Sequence, residues 1–144
     1  MRKSILLLIA IAFLAGCSKD DNTPQVPDKK TAEELITGKP WLIIAAGFDD
    51  NENGMVDENE NVLSACYADN AYTFTVGGSG SISDGADVCT PPANADFTWK
   101  LINNDTELQL NTERYVILQL DDNNFKLMTN IPWLNGDFLL VYER

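Results

Sequence analysis

Residues 97–128 read FTWKLINNDTELQLNTERYVILQLDDNNFKLM. Phe97, Trp99 and Leu101 alternate with Thr98 and Lys100, and Leu108 and Leu110 alternate with Glu107, Gln109 and Asn111. Residues 115–120 and 125–128 continue the series. A period of two with one apolar face is the mark of a half-buried strand. Between the runs stand Asn103-Asn104-Asp105 and Asp121-Asp122-Asn123-Asn124, residue types that tolerate the left-handed backbone of tight turns. The stretch therefore predicts four short antiparallel strands in chain order.

The same pattern extends both ways. Upstream, Tyr72, Phe74 and Val76 alternate with Ala71, Thr73 and Thr75, and Ser79–Ser83 forms a short partner across Gly77-Gly78. Trp41–Phe48, WLIIAAGF, is a mostly apolar strand, and residues 138–142 make the last. About eight strands with tight connections predict an all-β, antiparallel up-and-down meander that closes into a barrel, because closure removes the exposed edges. Before the first strand, Thr31-Ala32-Glu33-Glu34 is a capping box. The helix it opens is stopped by Gly38 and Pro40 two turns later, and Leu35 and Ile36 dock it on something larger, such as the end of the barrel.

The N-terminus is of another kind. Arg2 and Lys3 precede the apolar run ILLLIAIAFL at residues 5–14, and Leu14-Ala15-Gly16-Cys17 ends it. A basic start, a short apolar stretch and small residues before a cut are the parts of an export signal. A cysteine directly after Leu-Ala-Gly resembles the lipobox of bacterial lipoproteins, in which the thiol carries fatty-acyl (palmitate-type) chains. The alternative is an ordinary secreted protein with an incidental cysteine. The expected division is a signal peptide at 1–16, the lipidated Cys17 and a flexible tether to residue 30, and one barrel domain at 31–144. Each acyl chain gains about 0.8 kcal/mol per buried CH₂, so several make a stable membrane anchor. Ser18-Lys19-Asp20-Asp21 resembles the surface-export signal of some Gram-negative lipoproteins, which implies the outer membrane and display on the cell surface; the alternative is a solvated start to the tether.

Ten Lys and Arg stand against 22 Asp and Glu, and two of the ten lie in the leader, leaving the exported part at −14. Residues 40–99 contain no basic residue. Such a surface repels phosphate backbones, which argues against nucleic-acid partners. The chain has no histidine, which excludes Ser-His-Asp and Cys-His catalysis and the usual zinc ligand sets. A hydrolase built on two carboxylates is formally open, but no pair is singled out, and the expectation is a protein that is not an enzyme. With Cys17 assigned to lipid, Cys66 and Cys89 remain in an oxidising compartment and read as one disulfide; two buried free thiols are the alternative.

Several residues in order carry a resemblance. A Gly-then-Trp lead into the first strand, Cys66-Tyr67-Ala68-Asp69-Asn70 running into Tyr72-Thr73-Phe74, a Gly-rich turn leading to Cys89, Phe97-Thr98-Trp99, and Leu108-Gln109-Leu110 are similar to the lipocalin-like domains of bacterial surface lipoproteins. The similarity covers residues 35–129. Gly38-Lys39-Pro40-Trp41 has one residue more than the Gly-x-Trp of lipocalins, which bears on how Trp41 packs at the barrel floor. The resemblance implies an eight-stranded barrel able to hold a small apolar ligand.

Residues 49–60, DDNENGMVDENE, fit D-x-[DN]-x-[DN]-G-x₅-E, an EF-hand-type calcium loop placed here after the first strand. Asp49, Asn51 and Asn53 would offer side-chain oxygens, Met55 its carbonyl, Asp57 a direct or water-borne oxygen, and Glu60 both carboxylate oxygens. Gly54 sits at the sharp turn and Val56 at the position that faces inward. A hard cation wants six to eight oxygens, and alternate residues of a tight loop supply them. The alternative is a solvated acidic loop. Since a strand leads into it, a structural Ca²⁺ is expected rather than a signalling one.

Two functions compete. The first is a lipid-anchored barrel holding a small apolar ligand, with Phe74, Phe97, Trp99, Tyr115 and Phe125 as cavity candidates. The second is a surface module with a filled core and calcium-rigidified loops contacting a protein or glycan. The five aromatics are equally readable as plain core, so cavity volume separates the two.

Overall fold

The computed structural model describes residues 29–132 and 136–144. The expected leader, Cys17 and the tether up to residue 28 lie outside the described residues. Helix α1 (Ala32–Thr37) is followed by β1 (Trp41–Phe48), β2 (Ala71–Thr75), β3 (Ser79–Ser83), β4 (Ala95–Ile102), β5 (Glu107–Leu110), β6 (Glu113–Leu120), β7 (Asn124–Ile131) and β8 (Gly136–Glu143). All eight strands pair antiparallel with their sequence neighbours, and β8 returns to β1 to close the barrel.

Turn chemistry explains the short connections. Asn103, Asn104 and Asp105 all have positive φ, and Asp121 accepts the backbone N–H of both Asn123 and Asn124. Between β2 and β3, Gly78 N–H donates to Thr75 carbonyl oxygen across the turn. That geometry makes Val76 a turn corner and ends β2 at Thr75, so Val76 is 68 % exposed rather than the third inward residue of its strand.

The topology gives the barrel two unlike ends. Helix α1, the tips of the β2–β3, β4–β5 and β6–β7 hairpins and the C-terminal Arg144 gather at one, the floor. The long connections 49–70 and 84–94 and the turn at Asn111 and Thr112 stand at the other, the mouth. At the floor the Thr31 capping box forms as read. Ile36 and Trp41 are fully buried, and Trp41 Nε1 donates to the Ile36 carbonyl at 3.0 Å. The Arg144 guanidinium lies 3.6 Å over the Trp41 ring while donating to the carbonyls of Leu35 and Ile36. Trp41 thus seals the floor despite the extra residue before it. The core rises from there: Phe125 packs on Trp41 and Tyr142, and Phe74 meets Phe97, Trp99 and Phe125 edge to face.

Two departures from ideal pairing shape the mouth. Strand β2 pairs only with Trp41 and Leu42, so the upper half of β1 lacks a neighbour on that side. Residues 61 and 62 fill the place: Asn61 bridges Gly47, Val62 N–H donates to the Ala46 carbonyl, and Asn61 Oδ1 accepts the Ala46 N–H. Strand β5 spans four residues and meets β4 only from Trp99 to Ile102. Above that point Asn111 alone serves the edge, exchanging bonds with the Thr98 backbone.

Candidate binding site at the barrel mouth

A cavity of about 370 Å³ opens at the mouth end, above the aromatic floor. Ile43, Ile82, Phe97, Leu110 and Leu140 form its apolar wall, Tyr72, Tyr115 and Tyr142 its phenolic one, and Asn111, Thr112 and Glu113 its rim. The register makes this set. Ile43 pairs Tyr142, Tyr72 pairs Ile82, and Leu110 pairs Glu113, so each pair shares one face. Gly80, opposite both Phe74 and Phe97, leaves the space that the Phe97 ring occupies; a Cβ there would collide with it.

The structure divides the five expected cavity residues. Phe97 and Tyr115 line the cavity. Phe74, Trp99 and Phe125 are buried in the packed core beneath it, with Trp99 Nε1 bonded to the carbonyls of Thr75 and Ser79. Alternation places all five on the inner face; only height along the barrel separates wall from floor. Tyr72, Tyr142 and Glu113 belong to the site but were not singled out, although their inward parity with Phe74, Leu140 and Tyr115 was the signal available.

Burial pushes the ionisation of all three tyrosines up. Tyr72 is raised by desolvation and by Tyr67, Tyr115 by desolvation and by Glu113, and Tyr142 well above its ordinary value by desolvation and by Tyr72 and Tyr115. Losing water penalises the phenolate, so these hydroxyls stay neutral. Tyr72 and Tyr142 meet edge to face with ring centroids 5.2 Å apart.

The acidic loop lies on the outside of the same end. Asp49 takes the N–H of Asn53 and Gly54 on its two oxygens, at 2.9 and 2.8 Å. The Asn51 and Asn53 amides both donate to Asp57 Oδ2. Glu60, only 6 % exposed, accepts the N–H of Asp50 on one oxygen and of Asp57 on the other. Gly54 has φ +74°, and Lys126 of β7 donates to its carbonyl at 2.8 Å. Among the described residues, no three His, Cys, Asp or Glu side chains stand together as a metal-holding group. Instead Asn51, Asn53 and Asp57 meet, while Asp49 and Glu60 hold loop backbone. Val56 packs over Gly47, where a Cβ would lie 2.9 Å from Val56 Cγ1 and collide with the Glu60 carbonyl. Gly47 pairs with Leu139, which alternates with Leu140 and so faces outward, yet it is fully buried. The loop roofs that part of the outer wall.

On the other side of the mouth, Cys66 and Cys89 form a disulfide with Cα atoms 5.2 Å apart. Asp69 Oδ2 accepts the N–H of Asp87, Asn70 Oδ1 that of Gly85, and Asp84 that of Ala93. Side chains therefore hold the backbone of 84–94 where no strand does.

Residues 1–18 match the family model described as "Prokaryotic membrane lipoprotein lipid attachment site". No curated protein and no solved structure matches the chain. A lipid-attachment site followed by a closed barrel describes a membrane-anchored bacterial lipoprotein, and eight strands in up-and-down order fit a lipocalin-like fold.

Proposed function

We infer that this is a lipocalin-like binding lipoprotein, not an enzyme, which holds a small apolar ligand in the cavity at its mouth and carries a structural calcium ion in loop 49–60. The observation that carries the ligand reading is the cavity itself: about 370 Å³ of space walled by apolar and aromatic side chains, within the range of about 300–1,000 Å³ of ligand sites. An interaction module with a filled core is the competing reading, and occupancy of this space separates the two. The described chain joins the barrel at the floor, through Lys30, which pairs with Asp122, and Thr31. A lipid on Cys17 would then tether the barrel from its floor end. Placement in the outer membrane, with display at the cell surface, rests on the charged residues after Cys17. Native mass spectrometry of protein purified from its own host tests the ligand: a co-purified small molecule is expected, and an empty barrel in every preparation would overturn it.

The donor set of the loop suits a hard cation. Asp49, Asn51, Asn53, Asp57 and Glu60 bring only oxygen acceptors and amides, the Met55 carbonyl would add one more, and hydrogen bonds made by Asp49, Asn51, Asn53, Asp57 and Glu60 within the stretch 49–60 already hold it wound. Without a cation, Asp49, Asp57 and Glu60 repel one another. An ion binding only the folded state stabilises it by about 2.7 kcal/mol at a hundredfold excess over Kd, and extracellular modules bind at about 10⁻⁴–10⁻³ M. Millimolar calcium should therefore raise the melting temperature of metal-free protein, magnesium less so. Glu60→Gln should remove most of that response, while Glu58→Gln should keep it. Equal melting with calcium and with chelator would leave an acidic loop that binds no metal.

A further inference from the structure

The walls and rim of the mouth cavity say more about its occupant than that it is apolar. Four aromatic residues, Tyr72, Phe97, Tyr115 and Tyr142, line one space of about 370 Å³. Aromatic faces carry negative charge density and attract cations, most when water is excluded. Glu113 stands at the rim on the same face of β6 as Tyr115 and is exposed to solvent, the one acidic side chain among the residues that line the cavity. No Lys or Arg is among the residues that line the cavity. Around it the exported chain carries 22 acidic residues against eight basic ones, and a cleft in such a field concentrates cations and repels anions.

We propose that the cavity takes a small organic cation, an ammonium group on an apolar body of about one ring in size, with the ammonium toward the aromatic rings and Glu113. The proposal rests on the ligand-holding reading above and narrows it. A fatty acid or other carboxylate is the opposite case: its charge would meet Glu113 and find no basic partner. The phenol hydroxyls, kept neutral by burial, offer an anion hydrogen bonds but no charge, and offer an N–H group their lone pairs. The volume, near the lower end for ligand sites, favours a compact molecule over a long acyl chain.

Three probes of one shape separate the cases: benzyltrimethylammonium, the neutral benzyldimethylcarbinol and the anion benzyldimethylacetate. Titrated calorimetrically into the mature chain from residue 17, produced without its acyl chains, the cation should bind roughly tenfold or more tightly than the neutral probe. The anion should bind weakest, and the cation's affinity alone should fall with added salt. Glu113→Gln, an exposed change that leaves the core intact, should weaken the cation severalfold and spare the neutral probe. Tyr115→Leu should cost the cation more than the neutral probe, with Tyr115→Phe retaining most of the preference. Equal binding of cation and neutral probe, or tightest binding of the anion, would overturn the cation and leave the cavity standing as a binding site. Binding by none of the three would overturn the cation and count against the ligand reading as well.

Discussion

The floor and the mouth of this barrel are built by different physics. The floor is closed by packing: Trp41 beneath Phe125, Arg144 laid over the indole, and α1 held by its own cap and by the Arg144 guanidinium. Its connections are three short hairpin turns. The mouth is held by polar side chains grasping backbone, by Asn61 standing in for a strand, and by one disulfide. An interior packed at the bottom and open at the top gives a binding site a rigid base and an adjustable rim. Regular structure supplies the first; long connections supply the second.

The contrast can be broken by mutation, and the largest effect belongs to the floor. Trp41→Ala removes a fully buried indole and leaves Arg144 over a void; large-to-small changes of this kind cost about 3–5 kcal/mol. The denaturation midpoint should fall steeply, with loss of the near-ultraviolet signal of the whole core. A milder effect than that of any mouth variant would show that the floor is not what holds the barrel.

Removing the disulfide should come second. In the chain-entropy model, a loop of 22 intervening residues contributes about 3 kcal/mol through the unfolded chain. Cys66→Ala/Cys89→Ala should lower the melting temperature, with hydrogen exchange quickening most in 61–70 and 84–94 and less at the floor. Uniformly faster exchange would mean that the two ends unfold as one, which removes the distinction.

The smallest expected effect sharpens the comparison by pH. The backbone N–H of Asn123, the Gln119 amide and the Asn124 groups hold the carboxyl of Asp121, in a floor turn, down to about 2. A group whose ionisation is lowered by folding adds stability above its ordinary value of 3.8, and that stability is lost as pH falls toward about 2. The difference in melting temperature between wild type and Asp121→Asn should therefore be constant at neutral pH and shrink below about pH 4. The group lies at the surface, where solvent screens it, so the difference itself should be small. A gap unchanged down to pH 2 would mean that the turn does not depend on the charged carboxylate.

Much of this molecule was legible without coordinates, because its signals are local. Alternation marks a strand wherever one face is buried, which is why the strands lie where residues 97–128 put them. Thr31 and Glu34 cap a helix through bonds spanning three residues. Two cysteines left in an exported chain had one another as partner. Residues 1–18 announced a lipid-attachment site by their order alone. Val56 could be placed inward in its loop, though that it would meet Gly47 on a barrel wall could not.

What tertiary structure alone decided is height. A period of two says which face a residue takes but not how far along the barrel it stands; that depends on the stagger between strands, which accumulates around the closed sheet. Phe74 and Phe97 read alike in sequence, yet one is core and the other cavity wall. The short reach of β2 along β1 and of β5 along β4 sets those levels. The same stagger brings Arg144 under Trp41, 103 positions away, and sets Glu113 on the rim above Tyr115. Contacts between residues so distant in the chain leave no periodic trace, because each is fixed by the registers of all the strands between them.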